Sequence, residues 1–226
     1  MLKSKTILIL ISLVVFKLSG QGGFRKRINL PGSNGSYAMA SFETSPGNYL
    51  IISKTQVVEN NYWVYKLDLI KYNATSDTYT LTQLGDTNFY YPTGFNHVRN
   101  FGRKIGNYVY LANFGKPKNS TYWMGVLIKL GFNGDTIWQK KYSESNEHLI
   151  LFQVNTCRDG GFLLSGLSRD PTPPDVSRLL LIKTDANGNE LWRKKYNNPS
   201  PNYAEGRDVI EDSATKNILV TGMRFK

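Results

Sequence analysis

Two stretches of the chain, VLIKLGFNGDTIWQKKY at Val126–Tyr142 and LLIKTDANGNELWRKKY at Leu180–Tyr196, align without a gap at an offset of 54 residues. The shared letters include the IK pair, the NG pair, the tryptophan and the final KKY. Because self-similarity at a fixed period is typical of repeat architectures, the alignment indicates that one structural unit recurs along the chain.

Shorter matches extend the repeat over most of the chain. GNYVYLANFG at Gly106 aligns with GGFLLSGLS at Gly160, and related stretches begin at Ser45 and Thr215. FRKRINLPG at Phe24 matches the segment 192–200 at an offset of 168 residues, which is three times 56. We therefore divide the chain into an orphan outer strand at 24–30 and four units at approximately 37–84, 89–142, 148–196 and 203–226, the last one partial.

Each unit is predicted to contain four short strands. In the clearest unit they cover His148–Thr156, Gly161–Leu167, Arg178–Thr184 and Glu190–Tyr196, with turn residues between them. Four antiparallel strands recurring at this period, with no helical periodicity after the N-terminal segment, predict an all-β chain that forms a β-propeller of about three and a half blades. A β-sandwich is the competing fold, but it does not predict a repeat of the whole unit.

Several recurrent residues are expected to be structural. Turn glycines supply the positive φ angles of tight hairpins, and the repeated tryptophans are expected to pack between blades. These structural residues are Gly134, Gly160, Gly161, Gly188, Trp138 and Trp192. The turn at Asp185–Glu190 superficially resembles a calcium loop, but its glycine and its last ligand position are misplaced, which favours a hairpin.

The chain ends after the second strand of the fourth unit. The favoured interpretation is therefore an incomplete ring, the N-terminal part of a longer propeller with six to eight blades in all. A four-bladed ring with one defective blade is the alternative.

The first 20 residues are predicted to be a secretory signal peptide. Lys3 and Lys5 precede a run, Ile7–Phe16, that is apolar except for Ser12 and is too short to span a bilayer. Lys17, Leu18 and the small residues Ser19 and Gly20 follow it. Cleavage after Gly20 would make the mature chain begin at Gln21 and would lower the net charge from +11 to +8, since three lysines are removed. An uncleaved signal anchor is the alternative. The mature protein is expected to be secreted or at the cell surface, without a transmembrane span.

The basic excess does not indicate nucleic-acid binding. The 226 residues contain 28 Lys and Arg against 17 Asp and Glu, but many of the basic residues fall on predicted outer strands. Charge on an exposed edge discourages aggregation, and no nucleic-acid recognition motif accompanies it. A charged rim could also attract an anionic polysaccharide or a membrane surface.

Aromatic residues in connections that are predicted to share one face are the candidate binding residues. Such planes beside amides suit sugar rings or a protein partner, so an extracellular glycan or protein is the expected partner. The alternative is that the tryptophans simply begin buried strands. The candidates are Tyr62, Trp63, Tyr90, Tyr91, Tyr122, Trp123 and Tyr203.

Motifs for catalysis and for cofactors are not found. The chain lacks a nucleophile elbow, a P-loop and a dinucleotide fingerprint, so no catalytic residue, metal site or cofactor is predicted. His97 and His148 have no spacing partners, and the single Cys157 is expected to be buried. Asp170 and Asp175 bracket a proline-rich loop, but no glycosidase can be inferred from them.

The segments IKTDANGNELWRKKY and CRDGGFLLSG resemble the repeat of secreted β-propellers of Bacteroidota, many of which precede a sorting domain for type IX secretion. The chain is distantly similar to quinoprotein-like propellers, although its Asp–Gly–Trp spacing differs, which argues against a quinone cofactor. The resemblance implies a surface or secreted binding or structural module. The alternative is part of an extracellular glycan-active enzyme or quinoprotein whose catalytic residues lie in other blades.

Overall fold

The computed structural model describes residues 12–14, 25–27, 35–59, 62–84, 89–91, 102–172, 176–196 and 203–225. All the regular secondary structure in these ranges consists of β-strands, and the sheets are almost entirely antiparallel. The all-β prediction is therefore confirmed. The chain divides into two compact units, residues 1–84 and 85–226, which are described separately.

The first unit contains a four-stranded antiparallel sheet. Its strands run in sequence order and are β3 (Gly35–Ser45), β4 (Asn48–Glu59), β5 (Tyr62–Asn73) and β6 (Thr78–Leu84). The β3–β4 turn is tight because Gly47 adopts a φ of +75°. Ile51, Ile70 and Tyr72 form a buried apolar cluster on one face of this sheet.

A short pair of strands precedes this sheet. The strands β1 (Ser12–Val14) and β2 (Arg25–Arg27) pair antiparallel. The strand β1 falls within the predicted signal peptide and β2 within the predicted orphan strand. The rest of the signal segment lies outside the described residues.

The second unit begins with a sheet whose first strand is interrupted. The sheet order is β11–β10–β9, and both β7 and β8 pair with β9, at its end and its beginning respectively. The bounds are β7 (Phe89–Tyr90), β8 (Gly102–Ile105), β9 (Tyr108–Pro117), β10 (Met124–Gly131) and β11 (Thr136–Tyr142).

The next sheet follows the clearest copy of the repeat. Its strands are β12 (His148–Thr156), β13 (Phe162–Asp170), β14 (Val176–Thr184) and β15 (Glu190–Tyr196). Strands β12 and β15 have the predicted bounds, whereas the β13–β14 pairing extends further than predicted, because residues 168–170 pair with residues 176–178. The last pair is β16 (Tyr203–Glu211) and β17 (Ile218–Phe225), and one parallel pairing, Ser177 with Tyr203, joins it to β14.

Consecutive sheets of the second unit pack face to face. One buried cluster joins the β9–β11 sheet to the β12–β15 sheet, and a second one joins β13–β15 to β16 and β17. Trp138 packs against the first cluster, where its ring lies 6.1 Å from that of Tyr110 and 6.4 Å from that of Phe162. Trp192 packs against the second cluster, which includes Cys157. The repeated tryptophans thus occupy equivalent positions between sheets.

Turn glycines join the sheets as well as the strands. Gly134, Gly160 and Gly188 have φ angles between +76° and +83°. The Gly188 carbonyl accepts a hydrogen bond of 2.8 Å from the Tyr142 hydroxyl of the preceding sheet. A side chain at Gly161 would meet the Thr184 carbonyl oxygen at 2.1 Å, which explains the second glycine of that turn.

A β-bulge recurs in three strands, β3, β12 and β16, each of which begins an antiparallel series. Met39 in β3, Phe152 in β12 and Arg207 in β16 are each an extra residue between two adjacent pairs. Glycine stands across from the bulge in two of them: a Cβ at Gly166 would lie 1.9 Å from the Ile150 carbonyl oxygen, and one at Gly222 would lie 2.0 Å from that of Glu205. The backbone approaches too closely there for any side chain.

Candidate binding site

The connection between β9 and β10 carries two of the candidate aromatic residues, Tyr122 and Trp123. The connection is held in a compact turn, because the Ser120 hydroxyl donates to the Tyr122 carbonyl at 3.0 Å and accepts from its amide at 3.1 Å. The Ser120 amide donates in turn to the Pro117 carbonyl at 2.9 Å. These bonds fix the direction in which the two aromatic side chains leave the backbone.

The turn places both aromatic side chains against the first residue of the next sheet, His148. The Trp123 amide donates to His148 Nδ1 at 3.1 Å, and the Trp123 carbonyl accepts from the Leu149 amide at 3.0 Å. The His148 ring centroid lies 4.9 Å from that of Trp123 and 5.6 Å from that of Tyr122. Because Nδ1 accepts a hydrogen bond here, the neutral ring carries its proton on Nε2. All three side chains are half-buried.

Phe114 supports this group from β9, with its ring centroid 5.8 Å from that of Trp123. Phe114 is fully buried, so it anchors Trp123 while other parts of the indole remain accessible. We call Tyr122, Trp123 and His148 the aromatic cluster. Tyr122 and Trp123 are predicted from the sequence, whereas His148 has no partner there. The repeat spacing does not reveal that β12 starts beside the β9–β10 connection.

A charged group lies beside the aromatic cluster. Glu147, which directly precedes His148, lies 2.9 Å from Lys195 Nζ and 3.4 Å from Arg178 Nη1. Glu144 pairs with Lys195 and with Arg193, both at 2.8 Å. Burial raises the pKa of Glu144, but hydrogen bonds from Lys195 and Arg193 outweigh it and hold that pKa below its ordinary value.

These contacts change the interpretation of the basic outer strand. Arg193 and Lys195 of β15 pair with acids in the β11–β12 connection, so they link consecutive sheets in addition to charging an edge. Lys194, between them, is exposed and lies 5.4 Å from the Trp192 ring centroid. Side chains alternate along a strand, which is why neighbours in the basic run have different roles.

Tyr203 begins β16 as His148 begins β12. The Tyr203 hydroxyl donates to Glu205 Oε2 at 2.6 Å, and Arg207 forms an ion pair with the same carboxylate. Burial and the Glu205 carboxylate raise the pKa of Tyr203. Glu205 is 1% exposed, and the Arg207 guanidinium lies 4.9 Å from the Phe152 ring centroid. The Tyr203 hydroxyl is thus committed to an internal network.

The other candidate residues have different surroundings. Tyr90 is half-buried, and Lys118 Nζ lies 5.2 Å from its ring centroid, which brings Tyr90 close to the β9–β10 connection. Tyr91 is 1% exposed and is part of the core. Tyr62 and Trp63 begin β5, but their side chains lie outside the described residues. The structure therefore groups Tyr90, Tyr122 and Trp123 at one edge of one sheet.

The residues that the sequence analysis weighed as catalytic or metal-binding candidates make contacts typical of structural residues, where the structure describes them. The Asp170 carboxylate accepts from Thr172, whereas Asp175 and His97 lie outside the described residues. Burial raises the pKa of Cys157 to about 11, so its thiol is protonated at neutral pH. The Asp185 carboxylate accepts from the amides of Asn187 and Asn189 at 2.9 and 2.7 Å, as expected of a hairpin turn.

Within the described ranges, no group of three or more His, Cys, Asp and Glu side chains is arranged to hold a metal ion. None of the described residues forms a helix of the length and hydrophobicity that crossing a membrane requires. Comparisons with protein-family models and with curated proteins find no match to this chain.

Proposed function

We propose that this chain is a secreted or cell-surface β-propeller module that binds an extracellular glycan through the aromatic cluster and has no catalytic role. The observation that carries the proposal is the packing of Trp123 and Tyr122 on His148 at the junction of two sheets. Half-buried aromatic planes on a rigid support are the usual contacts for the apolar faces of sugar rings.

The propeller architecture is supported by the way first strands meet in the second unit. Strand β12 packs against both β8 and β16, the first strands before and after it. Arg103 Nη2 of β8 lies 2.9 Å from both carboxylate oxygens of Asp208 on β16. First strands that converge while their sheets pack face to face are expected of blades around an axis. Loops at one end of such blades are a common location for ligand sites.

Polar groups beside the aromatic cluster suit a glycan. His148 has a ring nitrogen that can donate, and Lys118 and Asn119 lie on the same connection. Sugar hydroxyls need both donors and acceptors, and such a site supplies them around an aromatic platform. The adjacent carboxylates Glu144 and Glu147 are neutralised by the basic residues that they contact, so a neutral or anionic saccharide would not be repelled.

Binding is tested with the purified chain on a glycan array, followed by titration calorimetry. Trp123→Ala and Tyr122→Ala are each expected to weaken binding about tenfold or more, since each removes an aromatic contact. Tyr196→Ala is the matched control, because Tyr196 is 48% exposed on β15 and lies outside the cluster. Thermal unfolding of each variant separates lost binding from lost folding.

Three results would contradict the glycan proposal. Equal glycan affinity for Trp123→Ala and Tyr196→Ala would exclude the aromatic cluster as the site. Capture of an extracellular protein that depends on Trp123, without any glycan binding, would favour a protein partner. Turnover of a bound glycan by the purified chain would favour the alternative of a glycan-active enzyme.

Export is tested by expressing the full chain in a bacterial host and sequencing the N-terminus of the exported product. The proposal expects Gln21 as the first residue, because the basic and apolar segments before it form a signal peptide. A product that stays in the cytoplasm with Met1 intact would contradict export.

A further inference from the structure

One face of the β3–β6 sheet contains a compact group of buried polar side chains. Ser36 lies across from Thr55, and Ser53 lies across from Asp68, in the register of β3, β4 and β5. Paired residues share a face and lie about 5 Å apart across strands, and alternate residues on one strand lie about 7 Å apart. The four residues therefore form one patch, which we call the hydroxyl–carboxylate cluster.

Two hydroxyls of this cluster lack the partners that buried polar groups normally have. Ser36 is 6% exposed and Ser53 is 1% exposed. Among the described residues, the structure gives neither hydroxyl a hydrogen-bond partner. A buried hydroxyl without a partner is costly, and a pair of them on one face indicates that another group binds between them.

The negative charge of the cluster is only partly compensated. Asp68 is 7% exposed. Lys66 interacts electrostatically with Asp68 but also lies 2.6 Å from Glu59 Oε1, so one ammonium group serves two carboxylates. Burial raises the pKa of Asp68, while the Thr55 hydroxyl and the Lys66 ammonium oppose that rise. A water molecule would satisfy the hydroxyls but would leave the carboxylate charge only partly compensated, whereas a cation would satisfy both.

We propose that Ser36, Ser53, Thr55 and Asp68 form a binding site for a small monovalent cation, a sodium ion or a primary ammonium group. A carboxylate and hydroxyl oxygens are hard ligands, and each hydroxyl has two lone pairs to offer. One carboxylate matches one positive charge, whereas calcium sites use more carboxylates and six to eight oxygens. Access is available at the rim, because Ala38, across from Ser53, is exposed.

The site is tested on the full-length protein by thermal unfolding at constant ionic strength, with choline chloride replaced stepwise by sodium, potassium, ammonium, methylammonium or calcium chloride. We expect the unfolding temperature to rise and saturate with one or more of the small monovalent ions, because a ligand that binds only the folded state stabilises it. A response to methylammonium but not to sodium would assign the site to an ammonium group, and the reverse would assign it to a metal ion.

Variants distinguish this site from general salt effects. Asp68→Asn is expected to abolish the cation response, and Glu43→Gln, an exposed acid on the same sheet, is expected to keep it. Ser53→Ala keeps the carboxylate and should shift the midpoint concentration about tenfold upward, as expected for one lost contact with a charged group. Sodium-23 relaxation measures binding directly if a variant is too unstable to melt cooperatively.

The proposal is overturned if wild type unfolds at the same temperature in all the monovalent salts. It is also overturned if Asp68→Asn responds as wild type does, if Ser53→Ala leaves the midpoint unchanged, or if calcium alone stabilises the protein.

Discussion

The β3–β6 and β12–β15 sheets have the same strand order and the same bulge in their first strand, yet the faces beside the bulge differ. Ser53 and Asp68 of the first sheet stand, in register, where Gly166 and Leu180 stand in the other. Leu180 belongs to a cluster of apolar residues that joins two sheets. The same backbone thus supports either a dry interface or a polar group, and the side chains decide which.

The largest effect is expected from exchanging the charge between the two faces. Leu180→Asp would bury an unpaired carboxylate in an apolar cluster and should cost more than about 4 kcal/mol or prevent folding. Asp68→Leu should change the free energy of unfolding by less than about 1 kcal/mol in a choline buffer, because it removes a buried charge that the sheet only partly balances. Chemical denaturation measures both. Similar costs for the two variants would contradict the comparison.

The next largest effect is expected across from the bulge. Gly166→Ala would bring a methyl group to 1.9 Å from the Ile150 carbonyl oxygen, so the backbone must shift, at a cost of about 2–4 kcal/mol. Ser53→Ala, at the matching position of the first sheet, should cost less than about 1 kcal/mol, because that position already accommodates a Cβ. Urea unfolding of the two variants checks this, and an equally tolerated Gly166→Ala would show that the bulge is not rigid.

A smaller effect is expected where the basic residues of β15 contact the β11–β12 connection. Arg193→Ala removes ion pairs to Glu144 and Glu190 at 2.8 and 2.6 Å and should cost about 1 kcal/mol, less in high salt. Lys194→Ala, its exposed neighbour, should be within about 0.5 kcal/mol of wild type. Thermal unfolding at low and high salt distinguishes the two variants. Equal losses of stability for both would indicate that the basic residues of β15 only protect an exposed edge.

The smallest effect is expected in the pH dependence of stability. Because burial raises the pKa of folded Asp68 above its unfolded value, this group stabilises the fold below the unfolded pKa, and that contribution is lost as the pH rises through the folded pKa. In choline buffer, the unfolding free energy of wild type should therefore fall relative to that of Asp68→Asn as the pH rises from 3 to 7. A pH-independent difference would show that Asp68 is not perturbed.

Much of the fold could be predicted because its signals are local. The apolar run at Leu179–Ile182 and the glycines at Gly160 and Gly188 mark a strand and two turns within a few residues of sequence. The aromatic residues of the β9–β10 connection could also be predicted from the sequence as candidate binding residues. Their partner His148 was not, because it lies 25 residues away and meets Trp123 only through sheet packing.

Taken by itself, the sequence determined the all-β class, the repeat and the turn positions, since alternation and turn chemistry act between near neighbours. Only the tertiary structure decided which residues of each strand are bulged, that Tyr91 is core while Trp123 is half-buried, and that Arg193 and Lys195 pair with Glu144. It also brought Ser36, Ser53 and Asp68 onto one face. These outcomes depend on pairing and packing between residues distant in sequence, whose register a linear pattern does not specify.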